Sequence, residues 1–209
     1  MGLKYPFLED KRSNDDSTNL NPIFQAYCLA ILHGERRARL DQDVEFWRER
    51  RLVAKNQNFL SYRFDTLSEL VLSLVFEQYW YGAGAAHGNS GFRSFNYIIS
   101  PVTEVSLDDF FASSKDYRPV VEAQLCESIR RTAWERGLGD LDQEWLAKGT
   151  KIEGNEVFTF SDRGLTFYFA PYQVAYYAAG SWQVTIPFYD LRDFLNPAGP
   201  HKFVIARET

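Results

Sequence analysis

The sequence predicts an α+β fold with a mostly antiparallel β-sheet and helices packed on one face. Several segments alternate apolar and polar residues, as half-buried strands do, and others carry apolar residues at helical spacing. The 209 residues are 45% hydrophobic and 16% aromatic, which suffices for a packed core. Since no repeat or Gly/Ser linker interrupts the chain, we expect a single domain over residues 1–209. Its parts are an N-terminal helix and strand segment (1–69), a core (70–195) and a C-terminal tail (196–209).

The first predicted helix starts at Asn21 and Pro22. Asn21 is suited to cap free backbone N–H groups, and proline suits the first helical turn because that turn lacks those bonds anyway. Apolar residues follow from Ile23 onward, and the helical pattern continues into a charged segment. We expect a break or bend near Gly34.

Three strands are predicted next. Residues 60–66, LSYRFDT, alternate with a period of two. Residues 69–81, ELVLSLVFEQYWY, are apolar on both faces, which indicates a central strand covered on both sides. Residues 91–100, GFRSFNYIIS, form a third strand that should pair with the second as its antiparallel neighbour.

The clearest helix is predicted over residues 116–137. Its apolar residues recur at four-residue spacing and Gly137 ends it. Before it, Ser106 and Asp109 form a capping-box pattern that starts a short helix. After it, a helical turn is expected around Trp145.

The C-terminal third predicts a hairpin, a strand and a helix. Residues 156–161 and 164–170 are joined by a tight turn containing Asp and Gly. Residues 181–187, SWQVTIP, alternate as a strand, and Pro187 starts a helix. Residues 201–209 are expected to be a frayed tail or an edge strand.

Charge and composition exclude several classes of protein. The formal net charge of −5 argues against a nucleic-acid partner, since phosphate binding needs a cationic surface. No stretch has the apolar length of a membrane span, and the amino end shows no signal-peptide segment. We expect a periplasmic or extracellular protein if an export signal has been removed, and a cytoplasmic one if the chain is complete. Whether Cys28 and Cys126 are bonded is left open.

Motifs for catalysis are weak. His33, His87 and His201 have no other His or Cys at metal-ligand spacing, so we predict no metal site and no cofactor. No G-x-S-x-G motif is present. Three acidic pairs are better explained by early helix turns and a loop than by acid–base catalysis: Asp108 with Asp109, Asp140 with Asp142, and Asp190 with Asp193.

Residues 79–97, YWYGAGAAHGNSGFRSFNY, place His87 in a glycine-rich loop between two strands. A phosphate cradle would need a helix after the loop, so a dinucleotide site is excluded. Two roles for His87 remain. It holds the irregular loop through hydrogen bonds, which we favour, or it serves as a general base in an enzyme that acts on cell-wall glycan.

Aromatic residues are the positive signal for function. Tyr79, Trp80 and Tyr81 alternate across a strand, so their rings point to both faces. Tyr172, Tyr176 and Tyr177 crowd into a loop of small residues ahead of Trp182. Tyrosine and tryptophan are frequent anchors at protein interfaces and sugar-binding faces, although a large aromatic core would explain them too.

The order of these motifs resembles a known domain. The glycine loop, then TEVSLDDFF, then GLTFYFAPYQVAYYAAGSWQVTIPFYDLRDFL is similar to the C-terminal domain of unknown function of RsiV-type anti-sigma factors. That domain also accompanies PdaC-type peptidoglycan deacetylases and occurs in stand-alone exported bacterial proteins. The resemblance spans residues 70–195. Ala85 stands where the family usually has glycine, and Tyr176 where it usually has proline.

The resemblance implies binding rather than catalysis, since the RsiV-type domain looks like a receptor for lysozyme. We therefore predict a non-enzymatic, extracytoplasmic binding domain that recognises a lysozyme-like muramidase or peptidoglycan. The expected contact residues are Tyr172, Tyr176, Tyr177, Trp182 and His87. The alternatives are a cell-wall hydrolase that uses His87, and an immunity or scaffold protein for a partner encoded nearby.

Overall fold

The fold is α+β, as predicted. The computed structural model describes residues 5–8, 20–41, 57–82 and 84–205, with the backbone alone for 35–41. The helices are α1 (Asn21–Asp41), α2 (Arg118–Glu135), α3 (Gln143–Gly149), α4 (Phe188–Leu191) and α5 (Lys202–Ile205). The strands are β1 (Gln57–Leu67), β2 (Val71–Tyr81), β3 (Asn89–Ile98), β4 (Thr103–Glu104), β5 (Phe158–Ser161), β6 (Gly164–Phe169) and β7 (Trp182–Ile186).

The strands form two sheets rather than the one sheet that the sequence predicts. The first has the order β1-β2-β3-β4 and the second the order β5-β6-β7. Both β6 pairings are antiparallel, with Phe158 opposite Phe167 and Phe167 opposite Val184. Each sheet thus follows the chain order, so hairpins and short loops suffice to connect neighbouring strands.

The chain divides into two compact units. One contains residues 1–62 and 78–89, and the other contains residues 63–77 and 90–209. The larger unit contains all residues of the second sheet and the loop of residues 170–181 between β6 and β7. The single domain over residues 1–209 stays a prediction.

Helix α1 corrects the expected break at Gly34. The helix runs without interruption from Asn21 to Asp41. A side chain at Gly34 would meet nothing within 4 Å, so this glycine faces open space and only weakens the helix. At the start of the helix, the Asn21 amide exchanges two hydrogen bonds with the backbone of Leu8.

The core of the larger unit is aromatic and aliphatic. Helix α2 buries the residues at four-residue spacing, and it packs on β7. Every residue of β6 is buried, so that strand is covered on both faces. Phe110, in the short 3₁₀ turn Asp108–Phe110, contacts the rings of Phe158, Phe160 and Phe188. The predicted helix start at Ser106 is therefore a single 3₁₀ turn, in which Asp109 accepts the Ser106 N–H.

The outer edge of β5 is closed by side chains of the first sheet. Phe160 donates its N–H to Ser73 Oγ, and its carbonyl accepts from Thr66 Oγ1. The Phe158 carbonyl accepts from the Asn96 amide, which lies 2.6 Å from the Ser73 hydroxyl that donates to it. Edge strands expose unpaired backbone groups that invite aggregation. Here three polar side chains satisfy those groups in place of another strand.

The carboxyl end differs from its prediction. Residues Lys202–Ile205 form a helical turn, and Val204 is buried in it, so this segment is neither a frayed tail nor an edge strand. Residues 206–209 lie outside the described part of the chain. Both cysteines are buried free thiols.

Candidate functional site

The tyrosine loop, residues 170–181, connects β6 to β7 and presents tyrosines to solvent. Buried Val174, Ala175 and Ala179 anchor it to the core. Tyr172 is 48% exposed and Tyr176 is 42% exposed, as the predicted contact surface requires. Tyr177 is half-buried, and its ring centroid lies 5.4 Å from that of Tyr172. The loop therefore has a rigid base and an exposed aromatic rim.

Tyr172 adopts a backbone conformation that favours glycine. Its φ is +70°, and it is the non-glycine residue with positive φ in the described part of the chain. Such a conformation costs an L-residue roughly 1–2 kcal/mol and persists only where surrounding structure enforces it. Non-glycine residues in this region concentrate at functional sites.

Contacts with helix α3 hold Tyr172 in this backbone conformation. The Trp145 indole Nε1 donates a 2.9 Å hydrogen bond to the Tyr172 carbonyl. Asp142 caps the helix by accepting the Trp145 N–H at 2.8 Å, which fixes the residue that holds the loop. At the other end of the helix, a Cβ on Gly149 would lie well within 3.0 Å of the Gln173 carbonyl oxygen. Only glycine permits this close approach of helix and loop.

A cleft opens between α3 and the tyrosine loop. Its volume is about 600 Å³. Trp145, 37% exposed, and Tyr172 line it together with Lys148, Asn155 and Gln173. Glu144, Lys151 and Glu153 add charged groups of both signs to the wall. This cleft combines two aromatic residues with a wall of mostly charged and polar side chains.

Trp182 is not part of this surface, and its prediction as a contact residue is corrected. The side chain is 2% exposed because β7 turns Trp182, Val184 and Ile186 towards the core. The Arg136 guanidinium covers its ring, 4.5 Å from the centroid. Trp182 therefore supports the fold beneath the loop.

His87 lies in the histidine–glycine loop, residues 82–88, of which the structure describes all but position 83. The side chain is exposed, and Nδ1 lies 2.9 Å from the Gly88 carbonyl oxygen. A carbonyl only accepts, so Nδ1 carries the proton in this contact. Gly88 itself is buried beneath the Tyr79 phenol, where a Cβ would come well within 3.0 Å of the ring. The loop is built around Tyr79.

A part-buried polar network connects Arg63 and Asp65 of β1 with Thr159 of β5 and Tyr168 of β6. Asp65 accepts hydrogen bonds from Tyr168 Oη at 2.6 Å and from Arg63 Nε at 2.9 Å, and it also accepts from Thr159. Burial alone would raise the pKa of the Asp65 carboxyl, but these hydrogen bonds outweigh burial and lower it. Burial and the bond to Asp65 raise the pKa of the Tyr168 phenol to about 12. Both groups thus stay in one protonation state near neutral pH, which suits a structural link.

Two of the three acidic pairs contain a carboxylate with a structural partner. Asp108 accepts from Tyr117 at 2.7 Å and from Arg118 at 2.9 Å. Asp142 caps α3, as described. Within the described residues, no group of three or more His, Cys, Asp or Glu side chains is placed to hold a metal ion. No helix there is long and apolar enough to cross a bilayer.

Sequence reasoning missed Trp145 as a site residue. The sequence indicated a helical turn there but not its partner, which lies 27 residues further along the chain. The signal that could have pointed to it is the tryptophan itself, because it stands at an exposed position of a charged helix.

Fold and site together define a class, an α+β domain of two antiparallel sheets that carries an aromatic cleft. Residues 108–189 match the family model described as "Protein of unknown function (DUF3298)".

One curated protein is also similar to this chain. The chain is 27% identical over 146 residues to the peptidoglycan-N-acetylmuramic acid deacetylase PdaC of Bacillus subtilis (strain 168). The match covers 68% of this chain but only 30% of PdaC.

Two solved DUF3298 structures share the fold. The one from Bacteroides fragilis has a TM-score of 0.60 at 18% identity, covering 84% of this chain and 70% of that one. The one from Pseudomonas aeruginosa has a TM-score of 0.55 at 18% identity, covering 85% of this chain and 79% of that one. The closer resemblance to RsiV-type proteins stays a prediction.

Proposed function

We propose that this protein is a non-enzymatic binding domain of the cell envelope that recognises a cell-wall component through the tyrosine loop. The observation that carries the proposal is Tyr172. Its side chain is exposed, and its backbone has a positive φ, which is unfavourable for a residue with a side chain. A loop that only connected two strands would gain stability from glycine there. A tyrosine at this position favours a use for its ring.

The similarity to PdaC supports the choice of ligand. PdaC is a deacetylase of peptidoglycan by its name, and this chain corresponds to 30% of its length. A binding domain that holds an enzyme near its polymer would fit such an arrangement. The deacetylase activity itself is not part of the proposal.

The enzymatic alternative has less support. Its candidate base, His87, is exposed and bonded to the neighbouring backbone. The part-buried carboxylate of Asp65 accepts hydrogen bonds from Tyr168, Thr159 and Arg63, and these bonds connect strands. We therefore place function in recognition.

Co-sedimentation with purified, insoluble peptidoglycan tests the proposal. The wild-type protein should pellet with the polymer in a saturable manner. The double variant Tyr172→Gly/Tyr176→Ala should remain in the supernatant, since both exposed rings are lost. Tyr189→Ala is the matched control, because Tyr189 is 72% exposed but lies on α4, outside the loop; it should pellet as the wild type does.

Capture on immobilised lysozyme is the second arm of this experiment. A wild-type protein that binds lysozyme but not peptidoglycan would show that the loop recognises a protein, and the proposed ligand would be wrong. Binding to neither would overturn the proposed function as a whole.

A further inference from the structure

The cleft between α3 and the tyrosine loop has properties that identify the chemistry of its ligand. This inference rests on the proposed function and deepens it. The volume of about 600 Å³ is comparable with small-ligand sites, which span roughly 300–1,000 Å³. The cleft therefore suits a short piece of a polymer better than a broad protein surface.

Two aromatic residues line the cleft. Trp145 and Tyr172 line it, and the indole N–H bonded to the Tyr172 carbonyl joins the two residues directly. Tyr177 packs against the Tyr172 ring from within the loop. Rigid tyrosine and tryptophan rings offer large contact area at a low cost in conformational entropy. Flat rings of this kind suit the apolar faces of pyranose sugars.

The remaining lining groups can both donate and accept hydrogen bonds. The Lys148 ammonium and the Asn155 amide are exposed, and neither side chain has an ion pair or hydrogen bond with any residue in the described ranges. Glu144 lies one turn before Lys148 on α3, yet their charged groups are not paired. Sugar hydroxyls both donate and accept, so a mixed set of donors and acceptors complements them.

Other ligand classes fit less well. A lipid or other apolar ligand would desolvate the charged groups of Glu144, Lys148 and Glu153 without offering them hydrogen-bond partners. A nucleic acid would meet the carboxylates of Glu144 and Glu153 on a chain with a net charge of −5.

We propose that this cleft binds an oligosaccharide of N-acetylated hexosamines, with pyranose faces against Trp145 and Tyr172. Lys148 and Asn155 bind its hydroxyl or acetamido oxygens. The Trp145 indole N–H additionally positions Tyr172 for the ligand by holding its carbonyl.

Titration with chitotetraose, a soluble neutral oligomer of N-acetylglucosamine, tests the site. Calorimetry should give saturable binding to the wild type. Tyr172→Gly should weaken binding about tenfold, because it removes one ring while relieving the backbone. Trp145→Phe, which keeps a ring but loses the N–H, should weaken binding by a smaller factor and abolish the ligand-induced change in tryptophan fluorescence.

Trp134→Phe is the matched control. Trp134 is 73% exposed on α2 and does not line the cleft, so this variant should keep both the affinity and the fluorescence change. Unchanged chitotetraose binding by Tyr172→Gly and Trp145→Phe would overturn the assignment of the cleft. A protein that pellets with peptidoglycan but does not bind chitotetraose would overturn this inference and leave the proposed function standing.

Discussion

The histidine–glycine loop and the tyrosine loop make opposite use of glycine. In the first, packing excludes a side chain at Gly88 because the Tyr79 phenol occupies its place. In the second, Tyr172 occupies a backbone conformation that glycine would adopt more readily. In the histidine–glycine loop, the residue type at position 88 is the one that packing requires. In the tyrosine loop, the residue type at position 172 is not the one that its backbone conformation favours. That mismatch is why we assign recognition to the tyrosine loop.

The largest loss of stability is expected at Gly149, where helix α3 packs closely against the tyrosine loop. Gly149→Ala should destabilise the protein by about 3 kcal/mol, because the new Cβ would meet the Gln173 backbone, which cannot swing aside. Gly34→Ala, a helical glycine facing open space, should be neutral or stabilising. Denaturant unfolding of the two variants measures this difference, and equal stabilities would show that the close approach of helix and loop is not required.

A smaller effect is expected in the histidine–glycine loop. Gly88→Ala should cost about 2 kcal/mol, since the Tyr79 ring must move. Gly82→Ala in the same loop should cost much less, because its Cβ would be 4.0 Å from the nearest atom. The double variant Tyr79→Ala/Gly88→Ala should lose less than the sum of its single variants in thermal unfolding. Strict additivity would contradict packing as the reason for Gly88.

The smallest effect concerns strain at Tyr172. Tyr172→Gly should be more stable than Tyr172→Ala by about 1 kcal/mol, since both lose the ring and only alanine keeps a Cβ at positive φ. At Tyr176, whose φ is −63°, the order should reverse, with alanine the more stable. Paired thermal melts measure both differences. If glycine and alanine ranked in the same order of stability at both positions, backbone strain at Tyr172 would not explain the difference between the loops.

Much of the fold could be predicted from local patterns. The helical spacing from Val121 to Ala133 reports on α2 and its buried face. The alternation of residues 60–66 indicates a strand but not its burial, which does not alternate there, since Tyr62 is exposed. The alternation of β7 already indicates that Trp182 is buried, because it places Trp182 on the same face as Val184 and Ile186. The prediction of Trp182 as a contact residue was wrong because it relied on the aromatic side chain rather than on the strand alternation.

The division into two sheets and the role of Trp145 could not be predicted in this way. Strand patterns state which face of a strand is buried but not which strands pair. The contact of Trp145 with Tyr172 joins residues 27 positions apart across an intervening hairpin. Positive φ at Tyr172 is a property of the folded loop, and the residue type there argues against it.

The closed edge of β5 has a consequence for how this protein can be divided. The family match begins at residue 108, whereas the side chains that satisfy the β5 backbone come from Thr66, Ser73 and Asn96. A fragment cut to the matched region would carry β5 with its outer amides and carbonyls bare. Such a fragment would be prone to aggregate by pairing its exposed β5 edge with the edge strands of other copies. We therefore expect the smallest autonomous folding unit to extend upstream of the family match, far enough to include Thr66, Ser73 and Asn96.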